Sequence, residues 1–247
     1  MKRLLLGLMF LWCATMAIAA TAKDVSYKSG DDTVQAILYT PPGNGPFPAL
    51  VVVHEWWGLN DWVKEQASKL SDEGYVTLAI DLYRGKVATT SDLAHELMRG
   101  VPDDRASRDL HSAFEYLKAQ PDVSKNKIGA IGWCMGGGYA LDIALQEPTL
   151  AADVIHYGSL ADDPDDLKKI HAPVLGLFGG QDRGITPSDV HKFEQQMKKL
   201  GKSVEVHIYS DAGHAFENPN NTMGYRKDDA EDAWKRTVAF LAITLKK

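Results

Sequence analysis

The sequence predicts an α/β fold: a mostly parallel central sheet with helices on both faces. Three observations carry this expectation. Short apolar runs alternate along the chain with segments of helical period. Several runs, such as residues 49–53 (Ala-Leu-Val-Val-Val), are continuously apolar, as strands buried on both faces are. No repeat or Pro/Gly-rich linker divides the chain, and its 247 residues suffice for one large domain.

The elements follow in order. Lys2 and Arg3 precede an apolar stretch over residues 4–12, and small residues follow (Ala14, Ala17, Ala19, Ala20, Ala22). A charged start, a short apolar stretch and an A-x-A site read as a secretory signal over residues 1–22. Cleavage is expected after Ala19 or Ala22, leaving one domain over 23–247, exported to the periplasm or secreted, without a stable membrane anchor. N-terminal sequencing of the mature protein checks this.

Residues 33–39 alternate and precede the turn-rich Pro41-Pro42-Gly43-Asn44-Gly45-Pro46, a hairpin-like start. After the strand at 49–53, Asn60 is placed to cap a helix with Val63, Ala67 and Leu70 on one side, closing near Gly74. Strands are expected at 75–80, 127–133, 152–157, 173–178 and 204–209. Helices are expected at 104–119, 135–145, 187–200 and 228–245. In such sheets ligands bind in loops beyond the carboxyl ends of the strands.

Composition bounds the function. Hydrophobic residues make up 45% and charged residues 24%, which is ordinary for a globular chain. With 27 basic and 33 acidic residues the net charge is −6, so no basic surplus is available to neutralise phosphates, and a nucleic-acid partner is not expected. Of two cysteines, Cys13 lies in the signal, which leaves Cys134 alone in a chain read as exported. Exported proteins usually pair their cysteines, so a solitary thiol asks for burial or chemistry.

Chemistry is favoured by its surroundings. Gly132-Trp133-Cys134-Met135-Gly136-Gly137-Gly138 follows a predicted strand and opens a predicted helix. This is a nucleophile elbow of G-x-S-x-G type with cysteine in place of serine. The turn is strained, so the residues two before and two after must be small. The helix start then offers backbone N–H groups to a developing oxyanion, that of Met135 first. In this arrangement the acid and then the histidine follow the nucleophile along the chain. Asp182 stands past the strand at 173–178, and His214 in a loop before the last helix. Asp211 is a rival for the acid, but Asp182 stands at its own strand end. His54, His111, His156 and His191 read as structural or surface histidines, and His54-Glu55 lacks a second histidine at zinc-site spacing. No metal or organic cofactor is implied.

These residues, with His54-Glu55-Trp56-Trp57-Gly58 and Gly180-Gln181-Asp182, resemble the dienelactone hydrolase family of α/β-hydrolases over nearly the whole mature chain. The resemblance implies an α/β-hydrolase fold and a triad of Cys134, Asp182 and His214. It also implies that Glu55 contacts the resting thiol and supports its activation, and that Trp56 supplies the second oxyanion N–H. Family members bind the dienelactone carboxylate with two arginines. Arg84 matches the first, whereas the segment after His214 holds Glu217, which would repel an anionic substrate, and Asn218 instead, with Arg226 further on. The expected substrate is therefore a small lactone or activated ester, cleaved through a thioester on Cys134. A single-thiol redox protein, or a binding protein on a hydrolase scaffold, are the alternatives. The missing C-x-x-C pair weighs against the first and the complete triad against the second.

Overall fold

The computed structural model describes residues 20–247; residues 1–19, most of the segment expected to be a signal, lie outside the described residues. Among the described residues, eight strands form one sheet: β1 (Thr21–Ser29), β2 (Asp32–Thr40), β3 (Phe47–Val53), β4 (Val76–Ile80), β5 (Val123–Trp133), β6 (Ala152–His156), β7 (Val174–Gly179) and β8 (Val204–Tyr209). Their order is β1-β2-β4-β3-β5-β6-β7-β8, antiparallel from β1 to β4 and parallel from β4 onward. The helices are α1 (Asp61–Asp72), α2 (Ser91–Arg99), α3 (Asp103–Lys118), α4 (Met135–Gln146), α5 (Pro164–Leu167), α6 (Pro187–Lys199) and α7 (Lys227–Leu245).

The apolar runs explain the layers. Along β3, Val51 and Val53 enter one core with α3, α4 and α6, while Leu50 and Val52 enter the other with α1 and α7. All four are fully buried, as a strand covered on both sides requires. Asn60 caps α1 as expected, its side chain accepting from the Val63 N–H at 3.1 Å.

The start of the domain differs from expectation. β2 has its hairpin partner upstream, in β1 across Gly30-Asp31, rather than beyond the proline-rich turn. β1 is hidden in the sequence because it is an edge strand with only Tyr27 and Ser29 buried. Thr21 and Ala22, inside the signal boundary drawn at residue 22, pair with Thr40 and Tyr39 in that hairpin. After the turn, β3 lies beyond β4, so β4 separates it from β2. The carboxyl ends of β3, β5, β6 and β7 thereby meet along one edge, and the chemistry gathers there.

Candidate active site

The turn from β5 into α4 carries Cys134 at φ 56° and ψ −120°, a conformation that non-glycine residues rarely adopt. The surroundings enforce it. The Cys134 N–H donates to the His156 carbonyl at the end of β6 (3.0 Å), and its own carbonyl accepts from the Gly137 N–H (3.0 Å). A Cβ on Gly132 would overlap the Gly136 carbonyl, and one on Gly136 would overlap the Val53 carbonyl at the end of β3. Glycine at both positions is thus a condition of the turn.

The acid and the histidine come from the loops past β7 and β8. Past β7, Asp182 accepts from the N–H groups of Gly184 (2.8 Å) and Ile185 (3.1 Å) through one oxygen. Its other oxygen meets Nδ1 of His214 at 2.7 Å, and Nε2 of His214 lies 3.0 Å from the Cys134 sulfur. The two loops are stitched together by Gly180 N–H to the Tyr209 carbonyl (2.7 Å) and Gln181 N–H to the Ala212 carbonyl (2.8 Å). Asp211 offers His214 nothing; its carbonyl accepts from Arg226.

Electrostatics favour a charged histidine. Burial opposes the imidazolium, but the hydrogen bonds to Asp182 and Cys134 and their charges outweigh it, raising His214 to about 10. For Asp182, burial acts upward and is outweighed by the bond from His214 and the two backbone N–H groups, so its carboxyl lies below the ordinary range.

Glu55, at the end of β3, is buried and accepts from the Asn218 amide at 2.6 Å; the thiol it was expected to contact pairs with His214 instead. Burial is the main cause that raises Glu55 to about 7, partly offset by the Asn218 bond. This sets a stability prediction. The folded state holds the proton more tightly than an unfolded glutamate at 4.5, so stability falls as pH rises from about 4.5 to about 7. The shift corresponds to about 3 kcal/mol. Glu55→Gln, whose carbonyl still accepts from Asn218, should therefore unfold at higher temperature than the native protein at pH 8, with no such gain at pH 4. An equal difference at both pH values would contradict the assignment.

Trp56 and Met135 line the cleft above Cys134, and neither backbone N–H has a hydrogen-bond partner among the described residues. Tyr83 ties the two together, its hydroxyl donating to the Trp56 carbonyl (3.0 Å) and meeting the Met135 sulfur (3.3 Å).

Two expectations require correction. Arg84 does not line the cleft. Its guanidinium donates to Asp109 (2.7 Å), a carboxylate fully buried on α3, which has no other side-chain partner among the described residues. A buried carboxylate demands such a partner, so Arg84 is committed to structure. Nor does Glu217 face the substrate. It turns inward, accepting from Nε1 of Trp133 (3.4 Å) and pairing with Nδ1 of His156 (2.7 Å). His156, read as structural for want of an acid, finds that acid 61 residues away. Glu217 and Asn218 together pin the histidine loop to the ends of β5, β6 and β3. Arg226 is spent on the carbonyls of Asp211, Met223 and Tyr225.

The sequence and the fold match known relatives. The model of the dienelactone hydrolase family matches residues 34–245. A protein of Methylorubrum extorquens named "putative carboxymethylenebutenolidase" is 32% identical over 237 residues, covering 90% of this chain and 81% of its own. One of the same name in Escherichia coli K12 is 32% identical, covering 89% and 86%. Among solved structures, a dienelactone hydrolase-like promiscuous phosphotriesterase from metagenomic libraries superposes with a TM-score of 0.85 at 25% identity, covering 92% of this chain and 99% of its own. The chain belongs to the dienelactone hydrolase family, within the α/β-hydrolase superfamily, and is a hydrolase.

Proposed function

We propose that this hydrolase cleaves small lactones or activated carboxylic esters through a thioester on Cys134. The carrying observation is the relay from Cys134 through His214 to Asp182, at 3.0 and 2.7 Å, at the foot of an open cleft. The thiolate attacks the carbonyl carbon, and the Trp56 and Met135 N–H groups stabilise the oxyanion. The intermediate collapses with loss of the alkoxide, which His214 protonates. Water, deprotonated by His214, then cleaves the thioester and releases the acid and the thiol. A thiolate leaves the tetrahedral intermediate easily, so the alcohol must leave as readily, as enol and aryl alkoxides do. Glu55, beside the triad, supports the charge state of the site.

The cleft also bears on substrate charge. It encloses about 1300 Å³, more than a small lactone fills, between apolar walls that include Trp56, Trp57, Met98 and Met135. Apart from His214, Arg99 is the one basic side chain among the described residues that line it, against Asp103 and Asp142. Burial, followed by the charge of Asp103, raises Asp142 to about 6, so it still carries charge above neutral pH. With Arg84 withdrawn, nothing here favours an anionic substrate strongly. Neutral aryl esters should show kcat/KM equal to or above that of carboxylate-bearing dienelactone, and Cys134→Ala should hydrolyse neither. Steady-state kinetics on matched neutral and anionic esters test this. A preference for dienelactone beyond about tenfold, about 1.4 kcal/mol in transition-state binding, would contradict the charge reading.

A further inference from the structure

His54 stands at the end of β3, fully buried, outside the triad. The Leu82 N–H donates to its Nε2 (3.2 Å), so that nitrogen carries the lone pair and the proton sits on Nδ1. Nδ1–H in turn donates to the Glu55 carbonyl at 2.6 Å. Burial is the main influence on the ring, lowering its pKa and holding it neutral in this one tautomer. The Glu55 carbonyl belongs to the same peptide unit as the Trp56 N–H. That unit is trans and planar, with C=O and N–H pointing in opposite directions, so whatever fixes the carbonyl fixes the N–H. The Gly58 N–H donates to the same carbonyl (3.1 Å). Trp56 is held on its other side by Tyr83, whose ring meets His54 edge-on at 4.8 Å.

We infer that His54 is a positioning residue for the oxyanion site, orienting the Glu55–Trp56 peptide so that the Trp56 N–H is held for the oxyanion formed on Cys134. Donation to the carbonyl also polarises the peptide and strengthens its N–H as a donor. The inference rests on the thioester mechanism and the oxyanion role of Trp56 proposed above.

A comparison of hydrolysis with alkylation tests it. Ester acylation develops an oxyanion, whereas iodoacetamide alkylates the thiolate by displacement at carbon and develops none. His54→Ala should lower kcat for an activated aryl ester by about 10- to 100-fold, with KM changed less than about threefold, since losing a single oxyanion donor outright costs somewhat more. Its rate of alkylation by iodoacetamide, and the pH profile of that rate, should match the native protein. His54→Asn, whose amide reproduces the Nδ1 donor, should recover most of the turnover, and His54→Gln, whose amide overlies Nε2, should not. Native turnover in folded His54→Ala, or equal turnover in the Asn and Gln variants, would overturn the inference. So would alkylation that falls in step with hydrolysis, since the triad itself would then be displaced. Should His54→Ala not fold, the Asn and Gln pair decides. Cys134→Ala is assayed alongside: activity there overturns the thioester reading, whereas an inactive Cys134→Ala beside unaffected His54 variants overturns only the role of His54.

Discussion

Asp182→Asn should lower kcat by orders of magnitude, up to the roughly 10⁴-fold that this change costs in a serine triad. The direction follows from which atoms the carboxylate already serves. One oxygen is occupied by the N–H groups of Gly184 and Ile185, so the carbonyl of an asparagine would remain there. Its NH₂ would then face Nδ1 of His214, where the carboxylate now accepts. The imidazole would have to accept at Nδ1 and carry its proton on Nε2, against the sulfur. That is the wrong tautomer for a base, and the influences that hold His214 near 10 would lose the bond and charge of Asp182. Asp211→Asn should change kcat by no more than about twofold, because Asp211 presents only its carbonyl, and that to Arg226. Steady-state kinetics of the two variants, with circular dichroism to establish folding, provide the check. The reverse ranking would overturn the choice of acid.

Arg84→Ala should act on stability rather than on substrate choice. Its removal leaves the Asp109 carboxylate buried without a counter-charge, a change that typically costs about 3–5 kcal/mol. For a domain of this size that corresponds to a fall in Tm on the order of 10 °C. Arg84→Met combined with Asp109→Leu removes charge and counter-charge together and should recover much of the loss. The ratio of kcat/KM for anionic and neutral esters should stay at its native value in both variants. A selective loss of anionic substrates at unchanged Tm would return Arg84 to the substrate site.

Much of this arrangement is legible in the sequence because its causes are local. The elbow requires glycine at 132 and 136 within one strand–turn–helix, and chain order then leads to Asp182 and His214 at their own strand ends. Helix α1 can be read from Asn60 and the spacing of Val63, Ala67 and Leu70, a cap and a face separated by a few residues. What escapes the sequence depends on distant partners. Arg84 matches a substrate-binding arginine by position, but whether a guanidinium faces a cleft or a buried carboxylate 25 residues on is decided by packing. Glu217 looks exposed beside His214 until β6 brings His156 to it. The tautomer of His54 is set by Leu82, 28 residues away. Strand β1 is missed because an edge strand with two buried residues has no apolar period to betray it.

The central claim is that the acyl group passes through Cys134, and rapid acid quenching followed by mass spectrometry tests it most directly. During turnover of an activated aryl ester, the peptide containing Cys134 should gain the mass of the acyl group, and hydroxylamine should remove it. Asp182→Asn should alter the amount of this adduct without moving its position. Iodoacetamide-treated protein should show neither adduct nor turnover. Sustained hydrolysis by Cys134→Ala, or an acyl group attached at any other residue during turnover, would contradict the account.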